Sequence, residues 1–151
     1  MAHKFAAHLV WTGAADGTTT ATYDGYSREY LIEIDGKPPL RGSAAPAYRG
    51  DAGLHNPEDL LVASLSACHM LWYLHLCADA GIEVSGYIDD AEGTLAMVKG
   101  KMAFTEVVLH PKVTLTKGDR ERAVALHKRA SEQCFIANSV NFPVRYQPEI
   151  G

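Results

Sequence analysis

The stretch Asn56–Gly81, NPEDLLVASLSACHMLWYLHLCADAG, decides the fold. It begins with an unusually complete helix-start signal. Asn56 is a good N-cap, Pro57 suits the first helical position, and Glu58 and Asp59 lie in the first turn, where the helix dipole favours negative charge. The pattern runs to Ala80, and Gly81 is the natural stop. At 1.5 Å per residue such a helix is roughly 36 Å long. Apolar residues surround it, so it must be covered on most sides. One chain of 151 residues can hardly do this and also cover both faces of a sheet, so a dimer sharing the helix is expected. From Leu60 to Ala78 there is no formally charged residue, which is nearly a membrane-spanning length. Ser64, Ser66, His69 and His75 interrupt it, however, and its flanks are acidic rather than basic. The reading is a deeply buried helix.

Around this stretch the composition is that of an ordinary globular chain. Apolar residues make up 47% and charged residues 21%, which excludes a disordered polymer. The length suits one domain, residues 1–151. Fourteen Lys plus Arg against 18 Asp plus Glu give a net charge of −4, with no basic run, which argues against nucleic acid as the main partner. The start, MAHKFAAHLVW, lacks the pattern of a secretory leader, so a cytoplasmic location is expected.

Upstream of the helix the chain reads as strands: Lys4–Trp11, Thr18–Tyr23 and Arg28–Asp35, with Asp16-Gly17 and Asp24-Gly25 as hairpin turn signals. Residues 36–55, rich in Gly and Pro, read as a loop of functional length. Downstream, Val84–Met97 and Met102–Thr116 read as two long strands joined at Lys99-Gly100-Lys101. Gly118 and Asp119 open a second helix with Ala123, Leu126, His127, Ala130 and Cys134 on one face. Asn138–Asn141 breaks it, and Pro143–Ile150 reads as a final edge strand. The order of strands, helix, strands, helix, strand is α+β, not a βαβ alternation.

Three cysteines, with no CxxC, exclude a disulfide scaffold and the common zinc-ribbon spacings. Cys77 lies nine residues after Cys68 and faces the opposite side of the long helix, roughly 13 Å along it. Bridged Cα atoms lie within about 7 Å, so these two cannot pair while the helix is intact. Cys68 and Cys134 stand on different helices and could meet if those helices pack. A mid-helix Cys68 has no helix N-terminus to lower its pKa, so a reactive thiolate there needs a cation from elsewhere in the chain.

Asn56-Pro57-Glu58-Asp59-Leu60-Leu61, then Ser66-Ala67-Cys68-His69, then a distant Cys134 followed by Phe-Ile-Ala-Asn-Ser-Val, resembles the OsmC/Ohr family of osmotically inducible and organic-hydroperoxide-resistance proteins. The resemblance runs through nearly the whole chain. It implies an OsmC-like α+β fold, with antiparallel sheets around a long central helix and a second helix, and an intertwined homodimer with sites at its interface. It implies a thiol peroxidase that needs no cofactor, acts on a small-molecule hydroperoxide and is reduced by an external thiol. Cys68 matches the peroxidatic residue, Cys134 the resolving one and Glu58 the active-site glutamate. Arg49, in Tyr48-Arg49-Gly50-Asp51, matches the arginine that holds the thiolate in OsmC-like members. The early turn where Ohr-like members carry theirs reads Thr12-Gly13-Ala14-Ala15-Asp16-Gly17, without an arginine, which favours the OsmC-like side. Arg28 is a weaker alternative for the cation. Glu58 and Cys68 are ten residues apart, roughly 15 Å on one helix, so a shared site requires either a broken helix or a second subunit.

Seven histidines invite a metal reading. His75 follows Cys68 by seven residues and His127 precedes Cys134 by seven, which is about 10 Å along a helix and too far for two ligands of one ion. No metal site is expected. Two other classes compete with the peroxidase. One is a Cys-His hydrolase with Cys68 as nucleophile, disfavoured by the mid-helix position. The other is a non-catalytic protein whose apolar groove binds a small ligand. Trp72, Tyr48 and Phe135 would suit an organic substrate if they lie near the thiols.

Overall fold

The computed structural model describes every residue of 1–151 except Asp16, so the Asp16-Gly17 turn signal lies partly outside the described residues. The chain divides into two compact units, Met1–Leu60 and Leu61–Gly151.

In the first unit, β1 (His8–Trp11), β2 (Tyr30–Glu33) and β3 (Leu40–Gly42) form an antiparallel sheet in that order. Trp11 pairs with Tyr30, and Tyr30 with Gly42. Gly42 is required there, because a Cβ would stand 2.3 Å from the Tyr30 ring. The expected strand at Thr18–Tyr23 does not form: the segment turns, with the Gly25 N–H donating to the Thr22 carbonyl at 3.2 Å. Its β-branched residues gain no partner strand, and propensity alone does not make a strand. The segment read as a loop, residues 36–55, contains β3 and is tied down. The Ser43 N–H donates to the His55 carbonyl at 2.9 Å, and Ser43 Oγ accepts from the Asp51 N–H at 3.1 Å. Gly50 packs so closely that a Cβ would meet the Ala44 carbonyl at 1.5 Å.

The long helix α1 (Pro57–Asp79) forms without a break. At its start Asn56 Oδ1 accepts from the Asp59 N–H at 2.8 Å, and Asp59 Oδ2 accepts from the Asn56 N–H at 3.3 Å, a reciprocal capping box. At its end Gly81 adopts φ +71°. The Ile82 N–H bonds the Cys77 carbonyl at 2.9 Å and the Gly81 N–H bonds the Ala78 carbonyl at 3.1 Å, which is a Schellman closure. The apolar character predicted a deeply buried helix, but only 28% of its most apolar window is buried within the chain. Leu65, His69, Tyr73, Leu76 and Cys77 are covered, whereas Ala63, Ala67, Leu71 and Ala78 are exposed.

The second unit carries β4 (Glu83–Asp89), β5 (Glu92–Val98), β6 (Lys101–Leu109), β7 (Pro111–Lys117), α2 (Arg120–Gln133), β8 (Val144–Tyr146) and β9 (Glu149–Ile150). Each of the two expected long strands is therefore two strands. The break has a side-chain cause: Asp89 Oδ1 accepts the His110 N–H at 2.6 Å, while Oδ2 accepts Ser66 Oγ–H from α1 at 2.5 Å. One carboxylate thus pins both breaks and the helix. Lys99 and Gly100 take φ +48° and +79° at the predicted hairpin, as a tight right-twisted ribbon demands. The sheets run β4-β7-β9 and β5-β6-β8. β8 and β9 are edge strands, but they pair parallel to β6 and β7, so these sheets are mixed rather than purely antiparallel.

Two apolar clusters fill this unit. Tyr73, Leu76, Cys77, Ile82, Val113, Ala123 and Ala130 form one, and Leu65, Val107 and Leu109 the other. On α2, Asp119 Oδ1 caps the Arg122 N–H at 2.7 Å, and the predicted apolar face turns inward. Cys134 lies one residue past the helix end.

Candidate active site

Cys68 and Cys134 come together in the second unit, both as free thiols. They differ in environment. Cys68, in mid-α1, is partly exposed; Cys134 is 1% exposed. Burial pushes the Cys134 thiol up to about 11, and the adjacent Cys68 side chain adds to the rise. The Ala137 N–H, donated to Cys134 Sγ at 3.4 Å, works against it and fixes the sulfur in the turn that ends α2. Cys134 is therefore a protonated thiol at neutral pH, and Cys68 is the less buried residue of the two. Cys77 is buried against Tyr73 on the other side of α1, and its thiol is also raised by burial. The Trp72 and Phe135 rings meet edge to face with centroids 5.5 Å apart. Trp72 is one turn beyond Cys68 and Phe135 follows Cys134, so this aromatic pair flanks the thiols.

Arg49 and Glu58 belong to the first unit. Arg49 ends the 3₁₀ turn Pro46–Tyr48 in a left-handed conformation, φ +68°. Its Nε donates to Asp24 Oδ1 at 2.7 Å, and both side chains are exposed. Within this unit Arg49 is thus committed to Asp24, and among the described residues no ion pair joins it to Glu58. Arg28 is placed differently. Its Nη1 donates to the Tyr26 carbonyl at 2.6 Å and its Nη2 to the Tyr23 carbonyl, and its guanidinium lies 3.6 Å from the Tyr26 ring centroid. Two neutral carbonyls and a ring hold the group rigid without cancelling its charge. Arg28 and Glu58 both line a cleft of about 540 Å³ whose walls are mainly Trp11, Tyr26, Tyr30 and Tyr48. Burial and the nearby Glu58 and Asp59 carboxylates hold the Tyr30 phenol above its ordinary value.

The sequence did not disclose a buried pair of histidines. His69 Nε2 and His127 Nδ1 are 3.0 Å apart, with side chains 2% and 0% exposed. Desolvation lowers His69 to about 4 and His127 to about 3, so both are neutral. Tyr73 stacks on His127 at 3.9 Å. The one available signal was that His127 sat among the inward residues of α2. His75 is exposed and lies 3.4 Å from Asp79. Among the described residues no group of three or more His, Cys, Asp or Glu side chains could hold a metal ion.

A partly exposed thiol facing a buried one across two helices, within mixed three-stranded sheets, defines a small α+β domain with a dithiol centre. The chain belongs to the OsmC/Ohr family: the family description of OsmC-like proteins matches residues 50–149. Among solved structures, an OsmC-like protein of unknown function from Vibrio cholerae is 32% identical, with a TM-score of 0.88 over 97% of this chain and 99% of its own. An organic hydroperoxide resistance protein from Elizabethkingia anophelis shares the fold at 17% identity and TM-score 0.71, over 100% of this chain and 97% of its own. One from Legionella pneumophila does so at 19% and 0.65, over 99% and 97%. No curated protein matches the chain.

Proposed function

We propose that the protein is a thiol-dependent peroxidase that reduces organic hydroperoxides. The observation that carries this reading is the pair of facing thiols with unequal exposure, Cys68 partly exposed and Cys134 buried. The order of events follows from it. The Cys68 thiolate attacks one peroxide oxygen: an S–O bond forms, the O–O bond breaks, sulfur is oxidised, and the alkoxide takes a proton and leaves as an alcohol. Cys134–SH then attacks the Cys68 sulfenic acid. The S–S bond forms, the S–O bond breaks, and the hydroxyl leaves with the thiol proton as water. An external dithiol returns the disulfide to two thiols and is itself oxidised. Cys134 gives up its proton as it attacks, and closure protects Cys68 from further oxidation. The Trp72–Phe135 edge supports an organic substrate over hydrogen peroxide.

Cys68 still needs a cation. Of the two candidates, the geometry favours Arg28 over Arg49, because Arg28 shares the cleft with Glu58 and keeps its charge uncancelled. α1 is unbroken, so Glu58 and Cys68 of one chain lie roughly 15 Å apart along it. In this reading each site of a homodimer combines the Arg28–Glu58 cleft of one chain with the thiols of its partner. The exposed apolar residues of α1, Leu71 at 63%, support that association.

The test is turnover of cumene hydroperoxide with dithiothreitol or dihydrolipoamide. Cys68→Ser is expected to abolish it, and full retention would overturn the assignment. The aromatic cleft favours a second reading, a non-catalytic binder of small ligands. Binding of cumyl alcohol without loss of any thiol to the hydroperoxide would select that reading.

A further inference from the structure

The His69–His127 bridge takes no part in the chemistry above, yet it joins the same two helices one residue from Cys68. Three contacts run in order along them. Tyr73 OH donates to the Ala123 carbonyl at 2.9 Å, His69 meets His127 at 3.0 Å, and Cys68 meets Cys134. Descending α1 corresponds to ascending α2, so the histidines stand between an anchoring hydrogen bond and the thiol pair.

The bridge carries a cost. Only one proton can lie between His69 Nε2 and His127 Nδ1. Whichever ring supplies it, His127 Nε2 remains buried without a partner. An apolar pair of similar size would fill the space without that orphan. What an apolar pair would lack is direction: a hydrogen bond between two nearly coplanar rings, planes 3° apart, admits one register, whereas aliphatic side chains tolerate sliding. Tyr73 on one side and Tyr146, with its ring 5.8 Å from that of His69, hold both imidazoles in that register. Asp89 is the charged group whose field reaches His69. It is already occupied by Ser66 Oγ and the His110 N–H, so it braces the helix without entering the bridge.

We propose that the His69–His127 hydrogen bond is a positioning device that sets Cys68 against Cys134 for disulfide closure. The proposal rests on the peroxidase reading above. Closure is intramolecular and depends on placement, and a misplacement of about 1 Å can slow such a step roughly 10²-fold. The first step, attack on peroxide by the partly exposed Cys68, makes no use of Cys134. Loss of the bridge should therefore separate the two steps and leave the sulfenic acid open to a second peroxide.

The experiment uses His127→Phe, which keeps a ring against Tyr73 but has no nitrogen, and His69→Gln, whose amide can restore a bond near the Nε2 position. Rapid mixing with one equivalent of cumene hydroperoxide follows sulfenic acid formation and disulfide closure separately. Mass spectrometry counts Cys68 sulfinic acid under excess peroxide. In His127→Phe the first step should stay within about twofold of wild type, closure should slow at least tenfold, and sulfinic acid should accumulate; His69→Gln should close within about threefold of wild type. Closure at the wild-type rate without added sulfinic acid overturns the proposal. So does a parallel loss of both steps, which would mark the pair as merely structural. If His127→Phe does not fold, His69→Phe is read by the same criteria. Peroxide consumption surviving in Cys68→Ser is a different failure, that of the peroxidase reading.

Discussion

Cys68, Cys77 and Cys134 have the same side chain, and their surroundings alone assign them different work. In the proposed reading the more accessible Cys68 attacks and the buried Cys134 resolves, whereas contact with Tyr73 makes Cys77 part of the core. Cys77→Ala is expected to leave peroxide turnover unchanged and to cost about 1 kcal/mol in stability, read by urea unfolding. Cys134→Ser is expected to complete one oxidation and then lose activity as Cys68 passes to sulfinic acid. The proposed reading also separates the two arginines. Arg49 is strained by its left-handed backbone and tied to Asp24, so Arg49→Gly should keep turnover within about threefold and not destabilise the fold. Arg28→Ala should lower kcat/KM for cumene hydroperoxide at least tenfold, read by steady-state turnover. The spacing of Cys68 and Cys77 was legible because α1 carries its start and stop signals in its own sequence. The surroundings of Arg28 and Arg49 were not legible, because carbonyl partners and a shared cleft are tertiary facts.

At the scale of elements, legibility follows how local the cause is. α1 was readable to within a residue because its capping box and Schellman glycine lie inside the segment. The breaks between β4 and β5 and between β6 and β7 depend on one carboxylate, Asp89, bonding across 21 residues to His110 and across 23 to Ser66, and no periodicity carries that. The parallel docking of β8 and β9 was equally hidden, since alternation shows a face but not a neighbour. The histidine pair ties α1 to α2 and also sets a pH dependence. Both pKa values lie below the unfolded value of about 6.5, at about 4 and about 3, so the unfolded chain binds more protons in that interval. Stability is therefore full above about pH 6.5 and falls as pH drops through 4 toward 3. Thermal unfolding between pH 7 and 4 should show a declining midpoint, and His127→Phe should flatten the decline. An unchanged slope in that variant would remove the pair as its cause. Asn56→Ala should cost about 1 kcal/mol by releasing the start of α1.

At the scale of the whole molecule, α1 has more apolar surface than one chain covers, with Leu71 at 63% exposure. In the proposed homodimer a second copy covers that surface and brings an Arg28–Glu58 cleft to each Cys68. Sedimentation should give a dimer, and Leu71→Asp should shift it toward monomer and reduce turnover in parallel. A monomeric variant of undiminished activity would separate the site from the assembly. Peptide mapping after one equivalent of cumene hydroperoxide tests the proposed dithiol chemistry most directly. The account predicts one disulfide, between Cys68 and Cys134, with Cys77 still a free thiol. Three free thiols after exposure, or a bridge that includes Cys77, would contradict it.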